Sequence, residues 1–513
     1  MTRPPTPSTG GADARIRAGL AGTPTDFDLL VIGLGVTGTG VALDAAARGL
    51  SVLAVDAHDV AFGTSRWSSK LVHGGLRYLA SLQVGIAHES AVERGILMEH
   101  TAPHLTRSLP WLLPLMASVS RQQATMSSLG FRAGDLLRLG ARTSRETLPR
   151  PRRVSRTEAL RLAPALRASG LRGGLVTWDG QLEDDARLVT CLARTAASYG
   201  ADVRTRARVT EVHGTGATLR DQLTGETFTV AARAVVNATG VWADTLVDGI
   251  RLRPSRGTHV VLRAESVPGL IGVLTVPVPG SASRFVFAVP QPDGTIYVGL
   301  TDEPTDGTVP DVPQPTESEI GFLLDVVSAA LEKPLRRSDV VGAFAGLRPL
   351  LESEGSTADL SRRHAVLRSA SGVVTVVGGK LTTYRQMAED AVDATGLTTR
   401  PTPTRRLPLL GAAPREELAR LEAPARLVRR FGTEAHLVLD TAREATGMTD
   451  AELLAPGPQG ITLAELVFGV THEGAADVDD LLDRRVRVGL VPEDRAAALP
   501  MAEQALALAL SAP

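Results

Sequence analysis

The chain has 513 residues, too many for one compact core, so two or three domains are expected. A formal net charge of −1 gives no overall field for nucleic acid, and the lone cysteine, Cys191, excludes an internal disulfide and any multi-cysteine metal site. At 43% hydrophobic residues the composition is globular, and one cysteine suits a reducing, cytosolic setting.

Residues 1–25 are rich in Pro, Thr, Gly and Ala and lack the apolar stretch of a signal peptide, which predicts a loose tail. Residues 28–32 are a short apolar run that reads as a buried parallel strand. Gly33-Leu34-Gly35-Val36-Thr37-Gly38 follows at once, then 41–48 with helical composition, then a second buried run, 51–56, ending in Asp56. That is the strand–turn–helix–strand context in which such glycines hold a dinucleotide.

Residues 86–106 look helical, and 121–161 form a basic stretch in which arginines far outnumber acids. A helix is expected at 184–199, a strand at 201–212, and a hairpin at Leu223-Thr224-Gly225-Glu226 before the strand around Val235. Extended, β-branched and aromatic runs fill 256–302, where 284–289 and 295–299 pair through Pro292-Asp293-Gly294. A βα element returns at 373–390, the Pro- and Thr-rich 398–408 reads as a linker, and 414–513 has helical spacing. The longest uncharged run, 266–283, is broken by Pro268, Pro277 and Pro279, so no segment is expected to span a membrane.

Three glycine-bearing turns carry the chemistry. Gly33, Gly35 and Gly38 would seat a pyrophosphate on helix-start amides, and Asp56 is placed either to accept from a ribose hydroxyl or to cap a turn. Asn237-Ala238-Thr239-Gly240-Val241-Trp242 ends a strand in small residues far downstream; it resembles the second fingerprint of two-dinucleotide-type flavoproteins, and together with the first turn that resemblance favours FAD over NAD. Gly378-Gly379-Lys380-Leu381-Thr382-Thr383 again exposes amides at a helix start, with Lys380 facing the flavin ring. Ser68-Ser69-Lys70-Leu71-Val72-His73-Gly74-Gly75-Leu76-Arg77-Tyr78 mixes thin backbone with Lys, His, Arg and Tyr, which no packed core requires. Arg77 and Arg348, each set among small and apolar residues, suit an anion, whether a phosphate ester or a carboxylate. His73 and His259 are the general-base candidates.

These residues resemble the FAD-dependent glycerol-3-phosphate dehydrogenases and the similar glycerol-3-phosphate oxidases. The resemblance rests on the Gly33–Gly38 turn, SSKLVHGGLRYL (68–79), DDARL (184–188), NATG (237–240), RGTHVVL (256–262), GLTD (299–302), GLRPL (346–350), GGKLTTYR (378–385) and ADVDDLLDRRVRVGL (476–490), in the family's order. It implies an α/β (α+β overall) fold: a Rossmann-type FAD-binding domain, a sheet-based substrate domain of the p-hydroxybenzoate hydroxylase kind, and a C-terminal helical domain. The expected division is a tail 1–25; an FAD domain from 26–100, 170–255 and 335–397; a basic helical region 101–169 with a substrate domain 256–334; a linker 398–412; and a helical domain 413–513.

It further implies oxidation of glycerol 3-phosphate to dihydroxyacetone phosphate, with hydride to flavin N5 and electrons passed to a membrane quinone. His73, Arg77, Arg348 and Lys380 are the expected catalytic group; Tyr78, His259, Thr301 and Asp302 join them around the substrate. Besides the glycines, Asp56 and Lys380, the expected noncovalent FAD site includes Thr64, Ser65, Ser69, Leu71, Gly74, Gly75 and Val209. Ala238, Gly240, Trp242, Gly379, Leu381 and Thr382 complete it, with no metal. The enzyme is expected in the cytoplasm, peripheral on the inner face of the plasma membrane, where the basic stretch would meet an anionic surface; a homodimer is compatible with it. The rivals are an oxidase using oxygen, an amine oxidase of the glycine or sarcosine type, and a nucleotide-binding protein without catalysis.

Overall fold

A computed structural model describes residues 14–75, 83–117, 119–281, 284–305, 307–352 and 364–511. Among these, the chain builds two large sheets and a helical C-terminal unit. The first sheet is nine-stranded, ordered Arg17–Ala18, Asp202–Thr205, Val52–Val55, Asp26–Ile32, Thr227–Asn237, Gly216–Asp221, Ala207–His213. Val374–Val377 also joins Thr227–Asn237 in parallel, and Ala365–Arg368 extends it. Its central strands are parallel and all but continuously apolar because both faces are covered: helices pack on Leu29, Val31, Val52 and Ala54, and Ala207, Ala217, Leu219 and Val230 of the antiparallel strands pack on Leu30, Ile32, Leu53 and Val55.

The Val36–Ala47 helix packs against Asp185–Ser198 and Tyr384–Thr395. Asp184 starts the Asp185–Ser198 helix by accepting from the Ala186 and Arg187 amides at 2.9 and 3.4 Å, an N-cap that also complements the helix dipole.

The second sheet is ten-stranded and mostly antiparallel, running from Ser255–Arg263 through Thr295–Gly299, Phe285–Pro290, Val273–Pro277, Thr106–Pro114 and Gly174–Leu182 to Leu71–Val72. Its core, with Val260, Leu274, Val286 and Val298 all but fully buried, closes under the Glu317–Ser328 helix.

Several expectations are corrected here. Residues 14–25 are no loose tail: Arg17–Ala18 pairs with Arg204–Thr205, Leu20 is fully buried, and the Ile16 amide donates to His472. The helix expected over 86–106 is Val84–Ile96 with a π-turn to Thr101. Thr106–Pro114 is then a strand, because nine residues of Gly174–Leu182 pair along it. The strand expected at 201–212 breaks at Arg206 (φ 58°), whose amide donates to His58, so its two halves lie toward opposite ends of the sheet. Gly174–Leu182 and Val340–Arg348 belong to the second sheet, not to the nucleotide sheet expected to hold 170–255 and 335–397. The 398–412 linker is packed: Leu407 and Leu409 are buried, and the Leu409 amide donates to Thr101.

The C-terminal helices join the nucleotide domain through buried ions. Arg187 forks onto Glu473, Arg194 onto Glu434 at 2.6 and 3.1 Å, and Asp59 accepts from Arg484 at 2.6 Å and twice from Arg485 at 2.8 Å. Charges this deep persist only when paired.

Candidate active site

The Gly33–Gly38 turn is as tight as its spacing predicts. Gly33 sits at φ 101°, and a Cβ there would lie 2.6 Å from the Ala238 carbonyl; one on Gly38 would lie 1.8 Å from the Gly33 carbonyl. Gly35 gives the helix no side-chain cap, and its first turn has no acid, which leaves the helix start to an anion. The Ala238 amide donates to Ile32 at 2.8 Å, laying the NATG turn beside the glycines, with open space next to Gly240 (φ 62°). A third turn, Gly378 (φ 79°) and Gly379 (φ 68°), opens the Leu381–Thr383 turn and the Tyr384–Thr395 helix; a side chain on Gly379 would strike Met387. Thr382 is buried below it and Leu381 packs on the nucleotide-domain core. Three small-residue turns and a helix start whose N-cap residue, Gly35, carries no side chain form a cradle that fits a dinucleotide.

Asp56 is engaged more closely than a ribose acceptor alone would be. Its Oδ2 accepts from the Leu34 amide and its Oδ1 from the His58 amide, at 2.8 and 2.9 Å, and burial pushes its carboxyl up to about 6. It holds the glycine turn directly. Val209, on the Ala207–His213 strand, lies two residues beyond Ala207, whose amide donates to the Asp56 carbonyl.

Residues 64–75 form the hub. Ser65 Oγ accepts from the Val36 amide at 2.9 Å, and the Thr64 hydroxyl donates to the Leu347 carbonyl at 2.7 Å. One end of the segment therefore touches both the nucleotide turn and the Arg348 strand. Gly346 is thin because Trp67 lies across it, and Gly63 because the Trp242 ring does. Ser69 Oγ meets His259 Nε2 at 2.7 Å. The Leu71–Val72 strand pairs with Gly180–Gln181 and leads to the half-buried His73. The Gly74 amide donates to Asp179, which also takes the Arg94 guanidinium at 2.7 Å; a Cβ on Gly74 would lie 2.4 Å from that guanidinium. Gly75 follows at φ 72°. Arg77 and Tyr78 lie outside the described residues.

Arg348 is aimed by Ser255 Oγ and Asp302 Oδ1, each at 3.2 Å, and by the Thr301 carbonyl at 3.1 Å. Gly257 makes room for it: a Cβ there would lie 2.4 Å from the guanidinium. The Thr301 hydroxyl is turned away, accepting from the Thr258 amide and donating to Glu319. His259 does not suit the general-base role considered for it. It stacks on Phe344 with centroids 4.8 Å apart, and burial, with Lys70 and Arg348 nearby, pushes its pKa down to about 3. Buried and stacked in this way, it is held neutral.

Lys380 Nζ donates to Ser90 Oγ at 2.8 Å, one turn from Arg94 on the Val84–Ile96 helix, and Arg385 of the same motif forks onto Glu93. This helix ties the Lys380 turn to the His73–Gly75 loop. Ser90, Glu93, Arg94 and Asp179 were not foreseen; the one sequence signal was charge on an otherwise apolar helical face. Among the described residues there is no cluster of metal-binding side chains, and no helix is long and apolar enough to cross a membrane.

Comparison with known proteins agrees with this geometry. A family model described as FAD dependent oxidoreductase matches residues 28–385, and one for the C-terminal domain of alpha-glycerophosphate oxidase matches 402–511. The chain is 51% identical over 492 residues to glycerol-3-phosphate dehydrogenase 1 of Mycobacterium tuberculosis, covering 94% of this chain and 95% of the relative. The structure of the Bacillus halodurans glycerol-3-phosphate dehydrogenase complexed with FAD superposes with a TM-score of 0.71 at 30% identity, over 94% of this chain and 91% of that one. The reduced, FAD-bound L-alpha-glycerophosphate oxidase of Mycoplasma pneumoniae shares the fold, with a TM-score of 0.57 at 19% identity over 75% and 99% of the two chains. The cradle, the hub segment and these matches together make the chain a member of the FAD-dependent glycerol-3-phosphate dehydrogenase family.

Proposed function

We propose that this protein oxidises the C2 hydroxyl of sn-glycerol 3-phosphate to give dihydroxyacetone phosphate and delivers the electrons to a membrane quinone. The observation that carries the reading is the hub: one segment, Thr64–Gly75, contacts the nucleotide turn, the Arg348 strand and His259. A redox cofactor and a cationic anion-binding group are thereby brought to the same few residues, as a small phosphorylated substrate requires.

The glycine turn, Asp56, Ser65, the NATG turn with Trp242, and the Gly379–Thr382 turn would hold FAD noncovalently. Bound FAD supplies the two-electron acceptor. Arg348, pre-aimed by Asp302, Ser255 and the Thr301 carbonyl, grips the phosphate together with Arg77 and Tyr78, which fixes the carbinol. His73 accepts the hydroxyl proton. Its rival His259, held neutral and bonded to Ser69, keeps its shape without taking that proton. Lys380 places a cation at the third turn, tethered by Ser90. An amine oxidase on the same scaffold would set such cations against a carboxylate; the glycerol-3-phosphate dehydrogenase relatives support the phosphate reading.

The Arg121–Gly140 helix supports a membrane acceptor. Met126, Leu129, Leu136 and Leu139 are 63, 54, 68 and 46% exposed along its outer face. Arg132 on this helix and Arg142, Arg145 and Arg150 just after it are exposed, whereas Arg138 turns inward to Asp135 and the Thr143 carbonyl. An apolar stripe edged by arginine suits the surface of an anionic bilayer. The holoenzyme should float with phosphatidylglycerol vesicles at low salt, and Leu129→Glu with Leu136→Glu should abolish flotation. Wild type remaining with the soluble fraction would reject the docking. In turnover, a short-chain quinone should support faster oxidation of glycerol 3-phosphate than dissolved oxygen does; the reverse would make the protein an oxidase.

A further inference from the structure

Two of the described non-glycine residues with positive φ, Lys70 (φ 57°) and Arg487 (φ 64°), belong to different domains and meet at one atom. The Arg66 carbonyl accepts from Lys70 Nζ at 3.0 Å and from an Arg487 terminal nitrogen at 2.6 Å. Both side chains are buried, so two cations share one acceptor away from water. The arrangement persists because Asp184 and Asp185 stand behind it. Asp185 Oδ2 accepts from Lys70 at 2.8 Å and from the Ser68 amide at 3.0 Å. Arg487 Nε lies 3.7 Å from Asp184 and 3.8 Å from Asp185. Arg487 also lies over the Trp67 ring at 5.4 Å and is anchored in its own domain by the Asp483 carbonyl at 2.9 Å. Strained backbone joined to buried like charges is costly and marks a site whose geometry matters.

We propose that Arg487 is a positioning residue: through it the C-terminal helical domain fixes residues 66–70, and with them the Ser69 hydroxyl against His259. The inference rests on the reading that the hub lines the reaction site. Its transmission is short. Arg487 and Lys70 pin the Arg66 carbonyl from both sides, Asp185 holds Ser68, and Ser69 is left with one place from which to meet His259 at 2.7 Å. The C-terminal domain is then part of the active-site frame rather than a separate appendage.

The test uses the FAD-loaded full chain. Arg487→Asn keeps a residue that tolerates the left-handed backbone while removing the guanidinium. Lys70→Met keeps a side chain of similar length beneath the Tyr297 and Phe344 rings, which the ammonium faces at 5.8 and 5.3 Å, while cutting the other tie. Each should retain FAD and show the rate of flavin reduction by glycerol 3-phosphate lowered about tenfold to a hundredfold, with KM little changed. Arg487→Lys, which restores a donor and the charge, should recover part of that rate. If Arg487→Asn gives no soluble holoenzyme, Lys70→Met alone decides. Normal reduction rates in a folded, flavin-loaded variant overturn the positioning role, as does a loss that appears wholly in KM. Failure of wild type to be reduced by glycerol 3-phosphate rejects the substrate instead, and is read in the same experiment.

Discussion

Arg348→Leu is expected to lower kcat/KM for glycerol 3-phosphate by about a hundredfold to a thousandfold, most of it in KM, while FAD content stays unchanged. Among the described residues, Ser255, Asp302 and the Thr301 carbonyl hold the guanidinium in place before any substrate arrives, so little ordering is left for binding to supply. A charge-assisted fork onto a phosphate contributes about 3–4 kcal/mol, and its loss leaves the phosphate to Arg77 and Tyr78 alone. Arg348→Lys keeps the charge and loses the fork, and should fall between wild type and Arg348→Leu. Steady-state kinetics with glycerol 3-phosphate and a soluble acceptor measures all three. A leucine variant with wild-type KM would remove Arg348 from the phosphate.

Asp59→Ala is expected to be the most destabilising single change in the domain interface, costing about 3–5 kcal/mol. Asp59 is fully buried and is the acceptor for both Arg484 and Arg485. Without it, Asp480 still takes Arg484, but Arg485 keeps only the Glu473 carbonyl and a carboxylate at 3.8 Å. Burial alone would raise the Asp59 carboxyl, yet the two guanidiniums hold it down at about 2. Because the folded value lies below the unfolded one, its stabilisation is present above the ordinary carboxylate range and is lost as pH falls toward 2. Thermal unfolding of the FAD-loaded protein at neutral pH should show a large drop in melting temperature for Asp59→Ala. An unchanged melting temperature would mean that the interface does not depend on this ion cluster.

Local chemistry was legible in the sequence where a function needs consecutive residues. Gly33, Gly35 and Gly38 are spaced by the demands of one turn, and the structure shows the close approaches that their spacing predicts. Residues 68–75 stood out because their mixture fits no core, and they lie in the hub. What could not be read was pairing across the chain. Lys70 finds Asp185 115 residues on, Arg94 finds Asp179 85 residues on, and Lys380 reaches Ser90 across 290. Each partner, taken alone, looks like a surface residue. Thr106–Pro114 was misread for the same reason: with Pro110 inside it and Pro114 at its end its own propensity is poor, and its antiparallel partner supplies the strand. His259 looked as good a base as His73 until its burial against Phe344 was visible.

The most direct measurement is the visible spectrum of the purified holoenzyme, recorded anaerobically before and after glycerol 3-phosphate is added. The flavin absorbance should bleach promptly with glycerol 3-phosphate and remain with glycerol or with glycine and sarcosine. Bleaching by an amine instead, or a colourless protein that cannot be loaded with FAD, would contradict the assigned chemistry.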